Sequence, residues 1–274
     1  MSKAKLDVRR MLLRLPHSRQ DYAAVGLIAE LASLLSADLV GTYVEDLSVH
    51  EIAAFTNARE FRAGSWQPFT PQQVARDAAL AMQEAERLFF ENARRHGLNP
   101  SFQVAREPIA DAGEPGVEDI VVVIEPKDPI ERATQQFNEF LRAAFRSTCS
   151  ILLMPGHIRN PSGPVIVIAS APDDPSVDAG IDIAAAAGER MILISPRPSS
   201  ELRSLVEEEA RNAGVAMSAG EAVLRDGEVL LPASAKGRLL IVSRQQTPTR
   251  PRSLQMPTLL VAARLSIPAT PDSR

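Results

Sequence analysis

Short apolar runs rich in Val, Ile and Leu alternate along this chain with longer stretches whose apolar residues fall three and four apart, and the succession occurs twice. Apolar runs separated by helical segments pack as a parallel sheet covered by helices. In the first half, Arg10 to Leu15 reads as a strand, Asp21 to Leu35 as a helix with Val25, Ile28, Leu31 and Leu35 on one face, and Asp38 to Val44 as the second strand. A long helix is predicted from Pro71 to His96, with Thr70 as N-cap, Pro71 at the first helical position and Gly97 just past the end. Phe102 to Ala105, Val117 to Ile124 and Ser150 to Met154 supply further strands, the last two joined by an amphipathic helix over Ile130 to Phe145.

After a Pro/Gly linker, Pro155 to Pro164, the order restarts. Val165 to Ser170, Arg190 to Ser195, Val215 to Ser218, Arg238 to Ser243 and Pro257 to Ala262 read as strands, with helices over Pro175 to Ala187 and Ser199 to Ala213. Matching segments line up in pairs: SADLVGTYV with GERMILISP, EDIVVVI with GRLLIVS, and CSILLMPG with MPTLLVAA. The chain is therefore an internal duplication with domains 1–158 and 159–274. The second copy is trimmed, since only 14 residues separate Ser243 from Thr258, too few for a crossover helix like that between Ile124 and Ser150.

With 30 basic and 34 acidic side chains in 274 residues the net charge is −4, and 45% hydrophobic content is that of a globular protein. The lone Cys149 makes no internal disulfide and is expected as a small apolar filler before a buried strand. No secretory leader and no membrane-length apolar run is visible, so a cytoplasmic protein without a membrane partner is expected. Seven basic residues from Lys236 onward face one acid, Asp272, which reads as a solubilising stretch and not as a nucleic-acid surface.

The order strand, helix, strand, long helix, strand, strand, helix, strand, twice over, resembles the tandem form of the universal stress protein family. The segment Glu30 to Phe61 (ELASLLSADLVGTYVEDLSVHEIAAFTNAREF) is similar to the part where members carry a helix, the second strand, an acidic VED and an apolar helix-like insertion. Phe145 to Gly156 (FRSTCSILLMPG) is similar to the family's closing stretch. The likeness covers nearly the whole chain in layout, with close motif agreement confined to the first half. It implies two flavodoxin-like open sheets with helices on both faces, paired by a pseudo-two-fold through their last strands, SILLM and PTLLV. It also allows a homodimer beyond that internal pairing.

Many members of that family bind ATP through a G-x-x-G and a later G-[ST] after the fourth strand, where bare backbone N–H groups meet phosphates. Here that place holds Glu125-Pro126-Lys127-Asp128-Pro129, no glycine lies between Gly116 and Gly156, and none follows Gly237. The family's aspartate at the end of the first strand is also missing: Leu15-Pro16-His17-Ser18 keeps only Ser18, and the second copy has Ala169-Ser170-Ala171-Pro172. The expectation is a degenerate nucleotide site in a non-enzymatic protein that acts in a stress response by binding a small molecule or protein, with no cofactor. The alternative is ATP binding with side-chain charge in place of the glycine loop, its candidate ligand residues being Ser18, Val44, Lys127, Arg244, Arg250 and Arg252.

Other chemistry has weak support. His17, His50, His96 and His157 show no metal-ligand spacing, and no metal is expected. His17 beside Ser18 offers a remote hydrolase reading; His96 before Gly97 suits a helix C-terminus. Glu45 and Asp46 are expected to cap the next helix, and Glu207 to Glu209 to form a solvated face. The insertion Leu47 to Gln67 carries Ile52, Phe55, Phe61 and Trp66, and is expected to fold back and plug the crevice the missing phosphate loop leaves.

Overall fold

A computed structural model describes residues 8–16, 21–45, 47–105, 115–158, 160–196, 199–220, 223–225, 228–230, 236–245 and 256–262. The first half contains strand β1 (Arg10–Arg14), helix α1 (Tyr22–Leu35), β2 (Asp38–Val44), α2 (Leu47–Ala53), the hairpin β3 (Arg59–Arg62) and β4 (Ser65–Pro68), α3 (Pro71–Arg95), β5 (Ser101–Ala105), β6 (Asp119–Ile124), α4 (Pro129–Ala133), α5 (Gln135–Arg146) and β7 (Ser150–Met154). The second half contains β8 (Val165–Ile168), α6 (Pro175–Ala187), β9 (Met191–Ile194), α7 (Ser200–Asn212), β10 (Met217–Gly220), the hairpin β11 (Val223–Arg225) and β12 (Glu228–Leu230), β13 (Leu239–Ser243) and β14 (Thr258–Val261).

The main sheet has ten strands in the order β10-β9-β8-β13-β14-β7-β6-β1-β2-β5. Each half follows the same order, third-second-first-fourth-fifth, with parallel neighbours throughout. The single antiparallel contact joins the fifth strands, Leu259 opposite Leu152, so SILLM and PTLLV meet as the resemblance implied. Side chains alternate across the sheet. Leu152 and Met154 enter the core under α1, α3, α6 and α7, while Ile151 and Leu153 enter the opposite core with Phe137 and Phe140 of α5. Both cores contain residues of both halves, so each runs across the junction of the duplicated units.

Two arginines add polar ties across the junction. Arg238, whose side chain is 12% exposed, pairs with Glu30 of α1 at 2.8 Å and with Glu189 of its own half at 3.3 Å. Arg244, just past β13, reaches the first half, where its guanidinium donates to the carbonyls of Phe145 (2.7 Å), Ser147 (2.8 Å) and Cys149. These carbonyls lie at the end of α5 and the start of β7, where a cation also meets the negative end of the helix dipole.

Two local expectations are corrected. The helix foreseen over Ile130 to Phe145 is broken at Thr134, whose backbone is extended (φ −62°, ψ 145°); its Oγ1 accepts the Phe137 N–H and donates to the Glu131 carbonyl, ending α4 and capping α5. The insertion does not plug the crevice. It forms α2 and the β3–β4 hairpin, turned by Ala63 (φ 51°) and Gly64 (φ 83°), with both residues left-handed as a two-residue hairpin loop requires. The hairpin is tied to the start of α3 by Arg62–Asp77 at 2.7 Å and Gln73–Glu60 at 2.9 Å. That attachment leaves Ile52, Phe55, Phe61 and Trp66 between 53% and 71% exposed. Among the described residues no helix is long and apolar enough to cross a membrane.

Candidate functional site

In an open sheet of this order the crevice lies beyond the C-terminal ends of the first and fourth strands, where the connections leave in opposite directions. In the first half these ends are Arg14-Leu15-Pro16 after β1 and Ile124 after β6. Two adjoining cavities occur there. One, of about 400 Å³, is lined by Asp21, Leu27, Ile124, Lys127, His157 and Ile158 among others; the other, of about 310 Å³, by Arg14, Asp21, Ile124, Glu131, Phe137 and Phe140 among others. Asp21 and Ile124 belong to both. The walls are mainly carbon and the polar groups few, the usual make-up of a small-molecule site.

The loop after β6 has several of its backbone donors missing or already engaged. Pro126 and Pro129 have no N–H to offer. The Glu125 N–H goes to the Met154 carbonyl, that of Lys127 to the Asp21 carboxyl, and that of Ile130 to Asp128 Oδ1. Across the crevice, Asp21 from the start of α1 and Glu131 from α4 present carboxyl groups to the same cavity. Lys127 is the one proposed ligand residue that lines this crevice among those described.

Asp21 stands immediately before α1 in the N-cap position, yet its backbone is helical (φ −87°, ψ −11°) and its side chain makes no capping hydrogen bond. It is only 4% exposed, and its Oδ1 has no hydrogen-bond partner among the described residues. Burial raises its proton affinity above the ordinary carboxylate range, partly opposed by the charge and backbone N–H of Lys127 and by His157. Glu131 is raised as well, by burial and then by repulsion from Asp21 and Asp128.

The duplicated position in the second half behaves differently. Asp174, before α6, is extended (φ −65°, ψ 126°) and its Oδ1 accepts both the Ser176 N–H at 3.0 Å and the Ser176 hydroxyl at 2.6 Å. This is an ordinary helix cap. Sequence reading passed over Asp21 and Glu131; a polar residue just before a helix is nearly always a cap, and only the absent capping bond and the unpartnered Oδ1 mark Asp21 as different.

The remaining candidates separate. Arg244 directs Nη1 and Nη2 at three carbonyls of the first half. Val44, at the end of β2, is completely buried and is not among the residues lining the two cavities. Ser18, Arg250 and Arg252, like His17 and Asp46, lie outside the described residues. Glu45 sits 3.3 Å from His50 Nε2 beside α2, and His96 is the C-cap residue of α3. Cys149 is buried 2.9 Å from the Ser147 hydroxyl, and burial pushes its thiol up, as expected of a filler.

No protein-family model matches the chain, and no curated protein matches it by sequence. Solved structures do share its architecture. A putative universal stress protein from Pseudomonas aeruginosa UCBPP-PA14 aligns with a TM-score of 0.52 at 16% identity, over 93% of this chain and 94% of that one. The cytoplasmic domain of a prokaryotic cation chloride cotransporter aligns with a TM-score of 0.54 at 10% identity, over 93% and 95%. The fold is thus the universal-stress-protein-like one that the sequence led us to expect, across almost the whole chain.

Proposed function

We propose that this chain is a non-enzymatic cytoplasmic protein that acts in a stress response by binding a small molecule other than a nucleoside triphosphate in the first-half crevice. The observation that carries this reading is the crevice wall at the loop after β6, where the N–H groups of Glu125, Lys127 and Ile130 are already bonded and the carboxyl groups of Asp21 and Glu131 face the same space. Anionic phosphates would meet like charge and few donors there. The open crevice of about 400 Å³ supports binding as the mode of action. The stress setting rests on the architecture shared with a putative universal stress protein, and a regulatory role is in keeping with its occurrence in the cytoplasmic domain of a transporter.

Thermal unfolding with and without ATP and magnesium tests the proposal. A ligand at a hundred times its dissociation constant adds about 2.7 kcal/mol, a rise of several degrees in a chain of this size. The expected result is no rise and no ATP turnover. A reproducible rise at millimolar ATP, or hydrolysis above background, overturns it.

A further inference from the structure

We propose that the first-half crevice is a site for a small organic ammonium ion, with Asp21 as the principal ligand residue, Glu131 as the second carboxylate, and the hydrocarbon part of the ligand along Ile124. This deepens the binding reading above and rests on it.

The duplication supplies an internal control. At equivalent places Asp174 caps its helix with both polar contacts made, whereas Asp21 has surrendered its capping geometry and keeps an unpartnered Oδ1 in a 4%-exposed carboxyl that lines both cavities. A buried, unpartnered carboxylate oxygen costs stability unless something donates to it. A donor on a ligand resolves that cost.

The other groups around the crevice narrow the class. Glu131 faces the same space and feels the charge of Asp21, so a positive group between them relieves repulsion. On the other side, Lys127 and the exposed His157 help keep Asp21 ionised. Arg14 lies over the Phe140 ring at 5.7 Å, and Arg132 pairs with Glu125 at 3.4 Å, so both have partners within the first half. Asp128 is turned to the Ile130 N–H. A divalent metal is a poor match, because it needs a larger oxygen cage and no three His, Cys, Asp or Glu gather among the described residues. An ammonium carries one charge and three donors, and its carbon chain suits walls made by Leu27, Ile124, Ile158 and Phe137.

The test uses the full chain and calorimetric titration with n-pentylammonium, its neutral isostere n-pentanol, and norleucine, which carries the ammonium beside a carboxylate. Pentylammonium or norleucine should bind at least about tenfold more tightly than pentanol, since the hydrogen bonds are charge-assisted. Asp21→Asn should cancel that preference, Glu131→Gln should weaken binding about threefold, and Asp174→Asn in the second half should leave the dissociation constant unchanged. Affinity should also fall as pH drops through the titration of Asp21. Asp21→Asn removes a buried charge and its amide oxygen can still accept the Lys127 N–H, so this variant is expected to fold. Equal binding of pentanol and pentylammonium, or an unchanged affinity in Asp21→Asn, overturns the ammonium assignment while leaving a ligand-binding crevice. No binding of any of the three probes overturns it too, and stabilisation by ATP instead overturns the broader reading.

Discussion

Arg244 offers the sharpest test of how the two halves are held together. Its guanidinium leaves the end of β13 in the second half and donates to three carbonyls, those of Phe145, Ser147 and Cys149, 95 to 99 residues earlier in the chain. A hydrogen bond to a charged group contributes about 1.5–3 kcal/mol, and a cation at a helix C-terminus about 0.3–1 kcal/mol. The three bonds share one cation and are not additive, and water reaches part of this half-buried site. The expected cost of Arg244→Ala is therefore about 3 kcal/mol, a fall of about 6–9 °C in melting temperature. Arg244→Lys keeps the charge but not the planar fork, and should recover only about a third of the loss. Urea unfolding followed by circular dichroism measures both. A loss below about 0.5 kcal/mol in the alanine variant, or full recovery with lysine, would refute the idea that the fork braces the junction.

Asp21→Asn should raise stability at pH 7–8. The folded-state proton affinity of Asp21 is raised, so its favourable contribution is present below the unfolded pKa and lost as pH rises through the folded one. The advantage of the asparagine variant, read by thermal melts, should therefore shrink to nothing near pH 4. Asp119 should show the reverse sign. Burial opposes its ionisation, but the Arg10 hydrogen bonds at 2.7 and 3.0 Å and the Gly116 N–H outweigh it and hold the carboxyl below its ordinary range. Asp119→Asn should cost stability at neutral pH and progressively less in acid, where the wild type loses this contribution, a convergence visible in urea titrations at pH 2–4. Gly180→Ala puts a Cβ into Val167 Cγ2 beneath α6, inside van der Waals contact, and should cost about 1–3 kcal/mol; Val167→Ala in the same chain should cost less than its effect on the wild type, as a double-mutant cycle will report. The single tryptophan, Trp66, is 62% exposed and stacks edge-on with Phe61 at 5.5 Å; its fluorescence should be quenched by iodide in the native state, and Trp66→Ala should change stability by less than about 0.5 kcal/mol. Quenching only after denaturation would place the insertion over the crevice after all.

Much of the architecture was legible because periodicity is a local property. Val25, Ile28, Leu31 and Leu35 announce α1 by spacing alone, and Thr70-Pro71 and Gly97 mark the ends of α3 within a residue. The joining of the halves through SILLM and PTLLV was implied by the resemblance to the universal stress protein family and not by periodicity. The insertion was misread because its apolar residues suggested burial, whereas the hairpin pairs with itself and is fastened at its edge by Arg62 and Glu60. Thr134 likewise disguised a break, since one threonine among helix formers does not disturb the hydrophobic pattern.

By itself, the sequence determined a duplicated parallel α/β unit and the absence of glycine between Gly116 and Gly156 and after Gly237. Only the tertiary structure decided which polar groups find partners. Asp21 and Asp174 look alike as residues before helices, yet Asp174 makes its capping bonds while Asp21 faces a crevice with Oδ1 unpartnered. Arg244 likewise finds three carbonyls almost a hundred residues away, which its sequence position does not announce. Hydrophobic periodicity is set by neighbours within a few residues, but satisfaction of a buried charge depends on groups that the chain brings together only once it has folded.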